Sequence, residues 1–280
     1  MDTTNAPLEQ ALVRLSDGHM MPQLGFGVFK VDPAEAQALV ADAIRAGYRA
    51  IDTAMMYKNE TGVGAGVRDS GTPQDEIFVT TKLWNDDQGH DKTLAAFDAS
   101  TRRLGLDTLN LYLIHWPHPK ADLYVETWKA MVRLQEEGRV KSIGVSNFLP
   151  EYLERIIGET GVTPVLNQIE LHPKFQQRAI RDFHKQHDIH IESWSPLGQS
   201  QILKDETIGG IAKKHGKTPA QIVIRWHLDQ GILTIPKASD RGHMVDNLAV
   251  GGFSLDGDDM AAIAALDEPN GRIGPDPANF

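Results

Sequence analysis

The feature that most constrains this chain is an eightfold alternation between short apolar runs and segments with helical spacing. Each run has six to eight residues and ends in polar or small side chains. Such lengths are typical of strands that are buried on both faces of a parallel sheet. The eight runs are residues 24–29, 48–53, 77–83, 109–115, 140–146, 164–171, 190–195 and 232–237.

The segments between these runs carry apolar residues at helical spacing. Residues 33–46 follow Asp32, a good N-cap, with Pro33 at the first helical position and Gly47 at the end. The strand-and-helix alternation predicts βα units and a parallel sheet. Five further segments show the same helical pattern, namely 91–104, 124–137, 150–160, 177–187 and 219–229.

The α/β class is therefore expected, and eight βα units favour a closed (β/α)₈ TIM barrel over an open sheet. The 280 residues suit one barrel, so we expect a single domain over residues 1–280. Asp17-Gly18, between apolar residues of the segment 13–23, predicts an N-terminal β-hairpin that plugs the barrel's N-terminal end.

Composition excludes several kinds of chemistry. The chain has no cysteine, which excludes disulfides, thiol nucleophiles and cysteine-ligated metal sites. Its net charge of −10 argues against a nucleic-acid partner, because phosphate binding needs a basic face. Residues 1–15 lack a signal-peptide pattern, and no apolar run approaches the roughly 20 residues of a membrane span. We expect a cytoplasmic monomer with no membrane partner and no bound metal.

Candidate catalytic groups stand where the predicted strands end, which is where barrel enzymes place their active sites. Asp52 and Tyr57 follow the second run, while Lys82 and His115 end the third and fourth. An ammonium lowers the pKa of a nearby phenol, a carboxylate keeps that ammonium charged, and a histidine can orient a carbonyl oxygen. Together they predict a proton donor for an oxyanion forming at a carbonyl group. No side chain supplies a hydride, so a cofactor is required.

Five longer motifs are distributed over nearly the whole chain: GYRAIDTAMMYKNETG (47–62), LYLIHWP (111–117), GRVKSIGVSNF (138–148), NQIELHP (167–173) and IPKASDRGHMVDN (235–247). They resemble the motifs of the aldo-keto reductase superfamily. Three further stretches, TTKLWND (80–86), ESWSPLG (192–198) and GKTPAQIVIRWHL (216–228), most resemble its bacterial 2,5-diketo-D-gluconate reductase branch.

This resemblance implies an NADPH-dependent enzyme that reduces aldehydes and ketones, such as diketo sugar acids or α-keto esters. It implies that Tyr57 is the general acid, that Lys82 and Asp52 lower its pKa, and that His115 orients the carbonyl. The implied substrate-binding residues are Phe29, Met56, Trp84, His115 and Trp116. The implied cofactor-binding residues are Gly27, Val28, Phe29, Ser146, Asn147, Gln168, Trp194, Ser195, Leu197, Lys237, Ala238, Ser239, His243, Asp246 and Asn247.

Two features depart from the family pattern. Ala238 and His243 stand where the loop that binds the 2′-phosphate of NADPH usually has Ser and Arg. Arginine is always charged and binds phosphate bidentately, whereas histidine is at most partly charged near neutrality. Arg241 is close enough in sequence to substitute. We therefore expect weakened selectivity and some use of NADH. The short segment 267–280 predicts an open substrate pocket.

Two alternative functions, a regulatory subunit and a different barrel enzyme, would require other sequence features. A cofactor-binding regulatory subunit without turnover would not need the four-residue site. A metal-dependent or phosphate-binding barrel hydrolase or isomerase would need clustered histidines and carboxylates or a glycine-rich loop after the last strands. The segment GVGAG (62–66) lacks the dinucleotide-binding spacing, so we expect it to serve close helix packing. The expected partner is a small carbonyl substrate.

Overall fold

The computed structural model describes residues 11–280, so part of the segment tested for a signal peptide, residues 1–10, lies outside the described residues. The chain begins with an antiparallel hairpin of strands β1 (Leu12–Arg14) and β2 (Met20–Pro22). Gly18 in its turn has a φ of 91°. Leu15 and Met21 of this hairpin are buried against side chains from the barrel strands. The predicted N-terminal hairpin is confirmed.

The eight predicted strands form one parallel sheet in sequence order. The sheet closes because Leu24, just ahead of the first barrel strand, forms a parallel bridge with Thr234 of the last. The predicted (β/α)₈ barrel is confirmed. Its strands are β3 (Phe26–Gly27), β4 (Ala50–Asp52), β5 (Phe78–Leu83), β6 (Leu109–Ile114), β7 (Val140–Ser146), β8 (Leu166–Glu170), β9 (His190–Trp194) and β10 (Leu233–Thr234).

Helices surround the sheet, and in residues 11–280 none is long and apolar enough to cross a bilayer. Each predicted helix is present. Three more helices, which follow β9 or β10, were not predicted from the sequence. The helices are α1 (Ala36–Ala46), α2 (Glu60–Asp69), α3 (His90–Leu104), α4 (Tyr124–Glu136), α5 (Pro150–Thr160), α6 (Arg178–Gln186), α7 (Glu206–His215), α8 (Pro219–Asp229), α9 (Arg241–Leu248) and α10 (Gly257–Ala264).

Helix α1 begins three residues later than its sequence pattern predicts. The Asp32 carboxylate accepts a hydrogen bond from the Ala34 N–H at 2.8 Å, as an N-cap would. Residues 33–35 nevertheless form a turn, and the regular helix starts at Ala36, whose N–H donates to the Asp32 carbonyl at 3.0 Å. The predicted start at Pro33 is therefore wrong. The predicted end is confirmed, because Gly47 has a φ of 124° that other residues rarely adopt.

Small residues let α2 pack closely between α1 and α3, as the sequence predicts. A Cβ atom on Gly66 would lie 2.6 Å from the Gln37 carbonyl oxygen of α1. A Cβ atom on Gly64 would overlap the Leu104 carbonyl group at the end of α3. Glycine therefore sets the spacing of these three helices. That spacing matters for function, because α2 follows the loop that carries Tyr57.

We expect Gly64→Ala to destabilise the fold by about 1–3 kcal/mol, because the added methyl group overpacks a backbone contact that cannot move aside. Urea unfolding measures the change. The matched control is Gly209→Ala in α7, where a Cβ atom would meet nothing within 4 Å. There the higher helix propensity of alanine should stabilise the protein by about 0.5–1 kcal/mol. Equal effects at both sites would contradict the packing argument.

Candidate active site

A buried ion pair lies at the carboxyl ends of two adjacent strands, β4 and β5. The Lys82 Nζ donates to Asp52 Oδ1 at 2.6 Å and to the Thr53 carbonyl oxygen at 3.0 Å. Lys82 is 0% exposed and Asp52 is 3% exposed. Burial alone lowers the pKa of Lys82, but the charge of Asp52, followed by Tyr57, raises that pKa above its ordinary value. The ammonium is therefore charged at neutral pH.

Tyr57 ends a short 3₁₀ turn directly above this pair, with Lys82 Nζ 5.2 Å from its ring centroid. Asn59 holds the turn in place, because its Nδ2 donates to the Val28 carbonyl at 3.0 Å and its Oδ1 accepts from Thr53 Oγ1 at 2.7 Å. Sequence reasoning missed this role of Asn59, which only a contact between distant loops reveals.

The net pKa shift of Tyr57 differs from the sequence prediction. Burial raises the pKa of the hydroxyl, and the Lys82 ammonium acts in the opposite direction without cancelling the increase. The predicted contribution of Lys82 is thus present, but the predicted net lowering is wrong, because sequence reasoning did not include burial. The hydroxyl is protonated at neutral pH, which is the form that an acid needs.

His115, which follows β6, lies beside Tyr57 with 5.7 Å between ring centroids. Burial, followed by the charge of Lys82, holds the pKa of His115 well below its usual value. The ring is therefore neutral at pH 7. Its Nδ1 has no hydrogen-bond partner among residues 11–280. A neutral imidazole carries one N–H, which can donate to a carbonyl oxygen.

A further wall of the site is built from Ser146, Asn147, Gln168 and Trp194. The Asn147 Nδ2 donates to Ser146 Oγ and to the His115 carbonyl oxygen, both at 3.0 Å, while Asn147 Oδ1 accepts from Trp194 Nε1 at 2.8 Å. Asn147 has a φ of 63°, a left-handed conformation that asparagine tolerates. The amide hydrogens of Asn147 are therefore used within the protein.

Gln168 connects the ion pair to a second buried carboxyl group. Its Nε2 donates to Asp52 Oδ2 at 2.9 Å and to Glu192 Oε2 at 2.6 Å. Burial, followed by the charge of Asp52, raises the pKa of Glu192 to about 8. Sequence analysis gave Glu192 no role. The available signal was an ionisable residue within an otherwise buried strand that ends in a candidate cofactor-binding residue, Trp194.

A cleft of about 660 Å³ opens at this end of the barrel. Its volume falls within the range of roughly 300–1,000 Å³ that is typical of small-molecule sites. The structure thus brings most of the predicted site residues together at one cleft. Those that line it are Gly27, Phe29, Asp52, Met56, Tyr57, Trp84, His115, Trp116, Ser146, Asn147, Gln168, Trp194, Ser195, Leu197 and Lys237.

The remaining predicted residues lie outside the cleft lining. Lys82 lies beneath Tyr57, while Val28 and Ala238 are buried in the hydrophobic core. Asn247 is buried and hydrogen-bonds Tyr48. Three others are exposed, before or within α9, namely Ser239, His243 and Asp246.

An acidic residue accompanies His243 at the start of α9. The carboxylate of Asp240 caps the helix by accepting the His243 N–H at 3.0 Å. The same carboxylate approaches the imidazole, with 2.5 Å between Asp240 Oδ2 and His243 Nδ1. Hydrogen bonding and the charge of His243 lower the pKa of Asp240, so this carboxylate is ionised at neutral pH. A protonated His243 therefore already has an anionic partner.

The C-terminal segment forms one wall of the cleft. Glu170 is 1% exposed, and its carboxylate accepts the Ile273 N–H at 2.6 Å and the Gly274 N–H at 2.9 Å. Beyond this anchor, the ring of Phe280 lies 4.4 Å from that of Trp116. A buried carboxylate over a hundred residues away in sequence therefore holds the short segment as one wall of the cleft. The open pocket expected from the sequence stays a prediction.

The fold and this set of side chains define a class of protein: a barrel enzyme with a tyrosine above a buried lysine–aspartate pair, facing a partly aromatic cleft. Comparison with known proteins gives the family. The model of the aldo/keto reductase family matches residues 21–268. The chain belongs to this family.

Relatives cover nearly the full chain. A protein of Trypanosoma cruzi named 9,11-endoperoxide prostaglandin H2 reductase is 52% identical over 272 residues, which is 96% of this chain and 95% of that protein. Methylglyoxal reductase DkgA of Salmonella typhimurium is 51% identical over 271 residues, covering 96% and 98%. The crystal structure of a Gox0644 mutant in complex with NADPH is 55% identical with a TM-score of 0.94, covering 98% and 99%. The predicted membership and carbonyl-reductase class are confirmed, and the regulatory alternative gains no support.

We expect Phe280→Ala to raise the KM for an aromatic aldehyde about 3- to 10-fold, because an aromatic contact contributes about 0.5–1.5 kcal/mol. Steady-state kinetics measures the change. Phe280→Tyr keeps the ring and should leave this KM unchanged. The KM for a small aliphatic aldehyde, which has no ring to stack, should change less than twofold in both variants. An unaltered KM for the aromatic substrate in Phe280→Ala would show that Phe280 does not contact it.

Proposed function

We propose that this chain reduces small aldehydes and ketones to alcohols with NADPH, and that Tyr57 is the general acid. The observation that carries the proposal is a protonated phenol that faces the cleft directly above the charged, fully buried Lys82. Turnover gives the charge of Lys82 a use that cofactor binding alone does not require, because it stabilises the phenolate that forms when Tyr57 donates its proton.

The wall built from Ser146, Asn147, Gln168 and Trp194 fits a nicotinamide ring. Both hydrogens of Gln168 Nε2 are used internally, and in residues 11–280 no hydrogen bond reaches its Oε1. An amide oxygen at the cleft is an acceptor suited to the NH₂ group of a carboxamide. Trp194, half-buried in the same wall, offers a flat ring for stacking. Gln168, Asn147, Ser146 and Trp194 would hold the nicotinamide, and NADPH supplies the hydride when bound.

The residues of this chain complete the reaction at the carbonyl oxygen. As the carbonyl carbon accepts a hydride, negative charge develops on its oxygen, and the Tyr57 hydroxyl donates its proton there. The neutral His115 donates a hydrogen bond to the same oxygen and orients it. The Lys82 ammonium then stabilises the phenolate that Tyr57 becomes, while Asp52 keeps Lys82 charged and in position. Solvent returns a proton to Tyr57 after the alcohol leaves.

The cleft favours small, weakly polar carbonyl compounds. Its walls near Tyr57 are mostly aromatic, with a flexible Met56 at the edge. We propose aromatic aldehydes, α-keto esters and α-dicarbonyl compounds of the size of methylglyoxal as substrates. Lys30, one of two lysines that line the cleft, has its Nζ 5.3 Å from the ring centroid of Phe29. Lys30 is the feature that would favour a keto acid instead, and a substrate panel separates the two classes.

We also propose that the enzyme uses NADH to a measurable extent. Ala238 offers no hydroxyl group, and His243 is paired with Asp240 rather than free for a phosphate. Lys237 and Ser239 stay exposed nearby and can contact a 2′-phosphate. These features retain a preference for NADPH but weaken it.

We expect the ratio of kcat/KM for NADPH to that for NADH to stay below about 10³, which corresponds to roughly 4 kcal/mol. His243→Arg should raise this ratio about 10-fold, since arginine is permanently charged and binds phosphate bidentately. His187→Arg, at the end of α6, adds the same charge on another exposed segment and should leave the ratio unchanged. A wild-type ratio well above 10³ would rule out the weakened selectivity.

We expect Tyr57→Phe to lower kcat by about 10²–10⁴, the usual contribution of a positioned general acid. The Kd for NADPH should stay within about twofold of wild type, because the proposed nicotinamide contacts come from Gln168 and its neighbours in the wall and not from the Tyr57 hydroxyl. Stopped-flow reduction and fluorescence titration measure the two quantities. Lys82→Met should also lower kcat, because the phenolate then loses its neighbouring charge. Carbonyl reduction by Tyr57→Phe at the wild-type rate would disprove the assigned acid.

The single-domain organisation over residues 1–280, the monomeric state and the cytoplasmic location stay predictions from the sequence. Size-exclusion chromatography with light scattering tests the monomer directly.

A further inference from the structure

Glu192 is an ionisable residue that the proposed mechanism leaves unused. It stands on β9 in register with Gln168 on β8, and it is 1% exposed. It does not line the cleft, so it does not touch a substrate there. Its contact toward the active site is the 2.6 Å hydrogen bond that Glu192 Oε2 accepts from Gln168 Nε2.

The two carboxyl groups decide which way the amide of Gln168 points. Its Nε2 donates to Asp52 and to Glu192, which uses both of its hydrogens. A flipped amide would place Oε1 against Oδ2 of an ionised Asp52, and neither Asp52 Oδ2 nor Glu192 Oε2 would then receive a hydrogen bond from Gln168. Asp52 alone satisfies only one hydrogen of the amide. Glu192 binds the other and fixes the remaining rotation of the group.

We propose that Glu192 is a positioning residue for the cofactor: it holds Gln168 with the amide nitrogen toward the ion pair and the amide oxygen toward the carboxamide of the nicotinamide. This inference rests on the proposed function, because it requires a nicotinamide next to Gln168. It makes the orientation of the ring depend on a side chain that the ring never contacts. An orienting contact of this kind determines which face of the ring meets the substrate.

The charge of Glu192 fits this role. The titratable groups that face it are Asp52 on β4, Lys82 on β5 and Tyr57 above them. Its pKa of about 8 leaves Glu192 mostly neutral at pH 7. A neutral carboxyl group still accepts through its carbonyl oxygen, and it adds no second negative charge beside the Lys82–Asp52 pair. Glutamine can replace it in this respect, because glutamine also offers a neutral carbonyl oxygen.

The test compares two cofactors that differ only at the group Gln168 contacts. NADP⁺ has the carboxamide, whereas in its 3-acetylpyridine analogue a methyl group replaces the NH₂. Fluorescence titration at pH 7 gives both Kd values for wild type, Glu192→Met and Glu192→Gln. We expect Glu192→Met to bind NADP⁺ about 10-fold more weakly, a loss of about 1.4 kcal/mol, and to bind the analogue within twofold of wild type. Glu192→Gln should match wild type with both.

The proposal would be overturned if Glu192→Met bound NADP⁺ and the analogue equally more weakly than wild type while Glu192→Gln bound both like wild type. Glu192 would then be a structural residue. Unchanged binding of NADP⁺ would overturn it as well. Should Glu192→Met fail to fold, Glu192→Ala removes the same acceptor and is compared in the same way. Gln168→Met removes the amide that contacts the carboxamide. Adding Glu192→Met to this variant should therefore cause no further loss of NADP⁺ affinity. If wild type bound neither cofactor, the proposed function would fail instead, which is a distinct result.

Discussion

The buried ion pair of Lys82 and Asp52 is the interaction on which the active site depends. Taking two charges out of water is costly, and such a pair persists only when further hydrogen bonds satisfy both groups. Here Lys82 also donates to Thr53, and Asp52 also accepts from Gln168. The pair thus links three barrel strands and provides a fixed positive charge beneath Tyr57. A tyrosine in an apolar setting would be a poor acid, and this charge favours its phenolate once the proton has left.

Barrel closure explains how residues far apart in sequence share this charge. Asp52, Lys82, His115 and Gln168 belong to strands β4, β5, β6 and β8 or to the residues just beyond them, and parallel strands end at one rim. The hairpin packs at the opposite end, against residues at the starts of β4, β5 and β8, whereas the cleft opens at the carboxyl ends of the strands. The segment anchored by Glu170 then narrows that opening. The same sheet that buries the ion pair therefore also sets the walls of the substrate pocket.

Much of this arrangement could be predicted from sequence, because strand ends and family motifs are local patterns. The motif around Tyr57 and the ends of the apolar runs identified the residues that meet at the rim. Effects that depend on tertiary contact were missed. The net pKa shift of Tyr57 comes from burial, and the C-terminal wall of the cleft comes from the hydrogen bond between Glu170 and Gly274. The proposed role of Glu192 comes from its contact with Gln168. None of these contacts leaves a periodic pattern in the sequence.

In the proposed mechanism, a carbonyl oxygen is bound between the Tyr57 hydroxyl and the His115 ring, facing the nicotinamide. A crystal structure of the chain with NADP⁺ and an unreactive carbonyl compound measures this directly. We expect the carbonyl oxygen to lie about 2.6–3.2 Å from the Tyr57 hydroxyl oxygen, with the nicotinamide ring against Trp194. A carbonyl oxygen bound away from Tyr57, or a nicotinamide ring away from Trp194, would rule out this arrangement.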